Sequence, residues 1–136
     1  MNEAINKIHK AFEKAGLKHD VQEIDDKAVL MTGMTGKGDN YRFFFIKDGD
    51  AGNDVALRIP QVGHCSEYQI EQAREELNKL QLQFRFLRFT IDKDGDINGE
   101  YDFPLTYEDI GNGAVEMALR LTMILDECSP RLKRFS

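Results

Sequence analysis

From Phe86 to Leu105 the chain alternates apolar and polar positions in two runs, and the rest of the sequence is organised around them. Ile97, Gly99, Tyr101, Phe103 and Leu105 interleave with Asn98, Glu100, Asp102 and Pro104, and before them Leu87, Phe89 and Ile91 interleave with Arg88, Thr90 and Asp92. A period of two is that of a half-buried antiparallel strand. Both inward sets are odd-numbered, so facing residues pair Ile91 with Ile97, Phe89 with Gly99, Leu87 with Tyr101 and Arg88 with Glu100. That register leaves Lys93, Asp94 and Gly95 as the loop, with glycine at the left-handed third position that a type I turn plus bulge requires. A two-residue Asp94-Gly95 turn would instead turn one arm inside out. Pro104 has no amide hydrogen and predicts an edge or a strand end.

The same reading extends along the chain. Ile5, Ile8, Phe12 and Ala15 recur at helical spacing and Gly16 follows as a stop, predicting an amphipathic first helix. Val21 to Ile24 and Ala28 to Met34 read as strands, and a flexible glycine-rich loop from Gly33 to Asn40 leads into a strand from Tyr41 to Lys47. YRFFFI is apolar on both parities, which predicts a central strand. A polar turn over 48–54 precedes Val55, Leu57 and Ile59, and Pro60 is expected to end that strand. Ser66 and Gln69 fit a capping box opening a helix whose apolar positions are Ile70, Ala73, Leu77 and Leu80. Thr106 to Asp109 supply candidate caps for a last helix, whose start Gly111 and Gly113 are expected to delay to Asn112 and which Ser129-Pro130 should break or kink. From Ala114 to Leu125 only Glu116, Arg120 and Thr122 are polar, more apolar girth than one sheet face can cover.

The 136 residues are 41% hydrophobic, so one domain spanning 1–136 buries roughly two-thirds of its unfolded surface without staples. A net charge of −6 disfavours nucleic acid and anionic membranes as partners. The N-terminus has no hydrophobic signal core, which together with the charge leads to the expectation of a soluble cytoplasmic protein. Cys65 and Cys128 share no metal-ligand spacing and read as free thiols.

Several motifs invite chemistry. Asp94, Asp96, Asn98 and Gly99 match the opening of a calcium loop, but its twelfth position is Leu105 and the flanks are strands, so a turn is the better reading. Asp48, Asp50 and Asp54 form a second acidic loop; these and the hairpin aspartates are the lesser metal candidates, and no metal or cofactor is assigned. Gly33, Gly36, Lys37 and Gly38 lack phosphate-loop spacing and are followed by a strand. His64 beside Cys65 would lower a thiol pKa at a helix N-terminus, though a loop histidine and a half-buried thiol are the commoner outcome. His9 and His19 read as surface residues near the first helix. No carboxylate stands out as a general acid.

The order α, strands, α, hairpin, α, with LRIP leading to a helix ending EELNKL and then FRFLRFTIDKDGDINGEYDFPL and a long apolar helix, resembles the YbjN-like family of bacterial sensory transduction regulators. The resemblance implies an α+β fold of the type III secretion chaperone kind, with an antiparallel sheet packed on helices. It also implies dimers that hold partner polypeptides, and it supplies no catalytic residues. The expectation is therefore a non-enzymatic protein-binding homodimer, chaperone- or adaptor-like. Phe44 and Ile46 on the off-parity face of the central strand, and Val115, Leu119 and Met123 on the last helix, are the candidate partner or dimer surfaces. The alternative is a small-ligand or divalent-ion domain using the acidic loops.

Overall fold

A computed structural model of the chain describes residues 2–37, 39–49 and 52–135. In chain order these form α1 (Glu3–Lys14), β1 (Asp20–Ile24), β2 (Lys27–Thr35), β3 (Asn40–Asp48), β4 (Asp54–His64), α2 (Ile70–Gln83), β5 (Arg88–Ile91), β6 (Asp96–Pro104) and α3 (Ile110–Lys133). The strands build a six-stranded antiparallel sheet in the order β1-β2-β3-β4-β6-β5, so β3 is interior as its two-sided apolar pattern requires.

Helices α1 and α3 lie against each other and cover one face of this sheet. Beneath them Leu30, Phe43, Phe45, Leu57, Ile59, Ile97 and Phe103 have no exposed surface, and from above Ile5, Ile8, Phe12, Ala114, Ala118, Leu121 and Leu125 close the core. Phe12, Phe45 and Phe103 meet in tilted and edge-on contacts with ring centroids 5.6 and 6.1 Å apart. Helix α2 packs at the β5 edge and against α3. There Arg131 of α3 bonds Glu76, a carboxylate nearly buried on α2 that this contact holds below its ordinary pKa.

The hairpin has the register its alternation predicts: Ile91 pairs with Ile97, Phe89 with Gly99 and Arg88 with Glu100, and Gly95 has φ of 81°. Asp92 holds the turn, its carboxylate accepting from the amides of Asp94 and Asp96 and from the Asn98 side chain. β6 ends at Pro104, as expected, while Leu105 lies beyond it, 41% exposed rather than inward.

Four boundaries differ from the sequence reading. β4 runs through Pro60 to His64, because a bulge between Ile59 and Gly63 takes the missing amide out of the ladder. There Gln61 has φ of 57° and donates its amide to the Asn98 side chain. Ser66 makes no cap; its hydroxyl donates to Gln69 Oε1, and a 3-10 turn over Glu67–Gln69 precedes α2. α3 starts at Ile110, with the Asp109 side chain accepting from the Asn112 amide, and includes both glycines. A Cβ on Gly111 would sit 2.6 Å from the Lys7 carbonyl oxygen, and one on Gly113 2.5 Å from the Tyr107 ring, so the two glycines are what let α1 and the preceding loop approach. Finally, α3 continues through Pro130 to Lys133 at the loss of one backbone bond.

The glycine-rich segment is shorter than expected, since Gly33 and Thr35 belong to β2, and Gly38 lies outside the described residues. The rest of the turn is seated on α3. Asp126 accepts from the Lys37 amide and from the Tyr41 hydroxyl, each at 3.0 Å, and Gly36 passes so close that a Cβ would be 2.1 Å from its carboxylate. Asp39 meets Lys133 at 2.6 Å. Burial and the Asp126 carboxylate raise the Tyr41 pKa, which suits a phenol that stays a donor. The Lys37 amide is thereby committed to Asp126.

Candidate interaction surface

The opposite face of the sheet has no helix over it among the described residues. Strand parity places Val29 and Met31 of β2, Phe44 and Ile46 of β3 and Ala56 of β4 on this side, all half-buried. The register makes them neighbours: Met31 faces Phe44, which faces Arg58 on its other flank, and Val29 faces Ile46, which faces Ala56. On β1 the polar Gln22 and Asp20 stand beside Val29 and Met31, and Ile24, 53% exposed, faces Lys27. Arg42 lies 6.0 Å from the Phe44 ring centroid and donates to Gln61, bordering the apolar field with a cation.

Towards β6 and β5 the same face becomes charged. Arg58 bonds Asp102 at 2.7 Å, Arg88 bonds Glu100 at 2.6 Å, and Thr90 donates to the other Glu100 oxygen. Burial pushes the Glu100 carboxyl up, but the bonds from Arg88 and Thr90 outweigh it and hold the group below its ordinary value. These carboxylates are consumed by fixed cations.

The second candidate surface is smaller than the sequence implies. The apolar girth of α3 is covered by the chain's own sheet and α1: Ala114, Ala118, Leu121 and Leu125 are fully buried, and Val115 packs on the core. Leu119 and Met123, one turn apart on the outer side, remain 49% and 68% exposed. Phe86, with φ of 74° and 43% exposed, has the Arg120 guanidinium of α3 5.5 Å from its ring.

Among the described residues the acidic metal candidates do not converge. Asp94 is exposed, Asp96 pairs with His64 at 3.1 Å and with Gln61, and Asp48 pairs with Lys27 at 3.4 Å; Asp50 lies outside the described residues. Cys65 is buried, which raises its thiol pKa, so the activated-thiolate reading fails on burial. Burial likewise pushes the Cys128 thiol up to about 12. A cavity of about 810 Å³ opens where α1 meets the start of α3, lined by Lys7, Lys10, Lys14 and Lys47 together with the carboxylates of Glu3 and Asp109. Sequence reasoning missed the pairing of His9 on α1 with His19 in the loop before β1, ten residues on. No helix among the described residues is long and apolar enough to cross a membrane.

Fold and surface together define an α+β domain with one sheet face sealed by helices and the other left open. The family model YbjN, described as "Putative bacterial sensory transduction regulator", matches residues 5–129, and the chain belongs to that family. No curated protein matches it.

Proposed function

We propose that this chain is a non-catalytic regulatory module that works as a homodimer and holds an apolar segment of a partner polypeptide against the open face of β2, β3 and β4. The observation that carries this reading is the contiguous field of Val29, Met31, Phe44, Ile46 and Ala56, a place where apolar surface is gathered and left uncovered. The fixed ion pairs of Arg58, Arg88, Glu100 and Asp102 support it, because they border the field with polar groups as the rim of a binding patch is bordered. In this reading Leu119, Met123 and Phe86 on α3 and its flank form the contact between two copies. Family membership in a regulator class and the resemblance to secretion chaperones favour binding over catalysis.

The test separates the two surfaces. Sedimentation of the full chain is expected to give a dimer that Leu119→Gln with Met123→Gln converts to monomer. Capture from the host at native expression is expected to return a stoichiometric polypeptide that Phe44→Ser with Ile46→Ser releases and the α3 variant does not. A monomeric wild type would remove the dimer, and a partner indifferent to Phe44 and Ile46 would remove the proposed surface.

A further inference from the structure

His9, Glu13 and His19 form a cluster in which one ring nitrogen of each histidine and a carboxylate oxygen all lie within 4.8 Å of one another. His9 and Glu13 are one turn apart on α1, and His19 stands just before β1, so the cluster bridges the end of the helix and the start of the sheet. Its hydrogen bonds run in series. The Leu17 carbonyl, 2.8 Å from His19 Nδ1, can only accept, so that nitrogen carries a hydrogen. The Glu13 carboxylate, 2.5 Å from His9 Nε2, likewise accepts, so that nitrogen carries one too. His9 Nδ1 and His19 Nε2 then face each other across 2.7 Å, and if both rings are neutral each presents a lone pair to the other. Such an arrangement calls for a cation between the two nitrogens.

We propose that this cation is a divalent transition-metal ion, Zn²⁺ by its donor set, bound by His9 Nδ1, His19 Nε2 and a Glu13 carboxylate oxygen, with solvent in the fourth position. Two imidazoles and a carboxylate are a zinc ligand set. The His19 bond to the Leu17 carbonyl is the outer contact that typically fixes a ligating imidazole, aiming Nε2 inward. The ring is held further by its edge contact with Phe12, centroids 5.6 Å apart. Tetrahedral zinc with bonds of about 2.0–2.1 Å sets its nitrogens roughly 3.3 Å apart, so the two rings part slightly from 2.7 Å. To take the third position Glu13, whose side chain is 60% exposed, gives up its bond to His9 Nε2 and leaves that N–H to solvent, and His9, 29% exposed, leaves a path for the ion. The bound ion would pin α1, on the sealed face, to the entry of the edge strand β1.

The chain has three histidines and two cysteines, and both cysteines are buried free thiols, so the accessible histidine background is His64. Full-length protein stripped with EDTA and titrated with Zn²⁺ at pH 7.5 by calorimetry should bind one equivalent. Co²⁺ in its place should give the intense visible bands of a four-coordinate nitrogen and oxygen site. His9→Gln and His19→Gln should each weaken binding by about 100-fold or more, Glu13→Gln by about tenfold, and His64→Gln not at all, all four checked for native circular dichroism. Zinc binding that persists in the His9→Gln, His19→Gln double variant overturns the proposal. So does a wild type that takes up neither ion, which would leave a shared proton as the bridging cation.

Discussion

Residues 43 to 46 of β3 are four large apolar side chains in succession, yet they have two different fates. Phe43 and Phe45 are fully buried beneath α1 and α3, whereas Phe44 and Ile46 lie on the open face beside Met31, Val29 and Ala56. Hydrophobicity does not distinguish the pairs; parity does. The difference teaches that this strand carries two burdens at once. One alternate set holds the fold together and the other presents a surface, so the two should come apart under mutation.

The largest effect should come from the sealed side. Phe45→Ala removes a ring packed on Phe12 and Phe103 and should cost about 3–5 kcal/mol in urea unfolding. Phe44→Ser is expected to cost no more than about 1 kcal/mol, and equal losses at the two sites would erase the comparison. Next, Gly111→Ala places a methyl against the Lys7 backbone carbonyl and should lower stability by about 1–3 kcal/mol by separating α1 from α3, read as a shift of the same unfolding midpoint.

A smaller effect tests the charged end of the open face. Glu76 and Glu100 are both held below the ordinary carboxylate value by arginines. Their contribution is therefore full above the unfolded-state value near pH 4.3 and is lost as pH falls through the folded values. Glu100→Gln should cost about 1–2 kcal/mol at pH 7 and flatten the acid limb of stability against pH, measured by urea midpoints from pH 6 to 3. The smallest change belongs to Leu119→Gln and Met123→Gln, expected within about 0.5 kcal/mol because both side chains face solvent in the single chain.

Features set by local alternation were legible in the sequence. The hairpin register follows from two odd-numbered apolar sets and one glycine, and the split parity of β3 already singled out Phe44 and Ile46. What escaped depended on residues distant in the chain. Pro60 is a strand end by its own chemistry and becomes a bulge only because Asn98 meets the Gln61 amide. Gly111 weakens a helix in isolation, and its place inside α3 makes sense only against the Lys7 carbonyl. The apolar girth of α3 reads as surplus until α1 and the chain's own sheet take up most of it. His9 and His19 have no shared periodicity, so nothing short of the folded topology could join them.

The close passage of Gly111 over Lys7 has a consequence for how the chain must be made. The first helix finds its companion only about a hundred residues later, so the lid over Phe43, Phe45 and Leu57 is completed by the last element synthesised in this stretch. Until α3 has cleared the ribosome, the growing sheet is greasy on both sides. Such a nascent chain is exposed to aggregation until α3 emerges, and its folding rate is governed by a contact of high sequence separation.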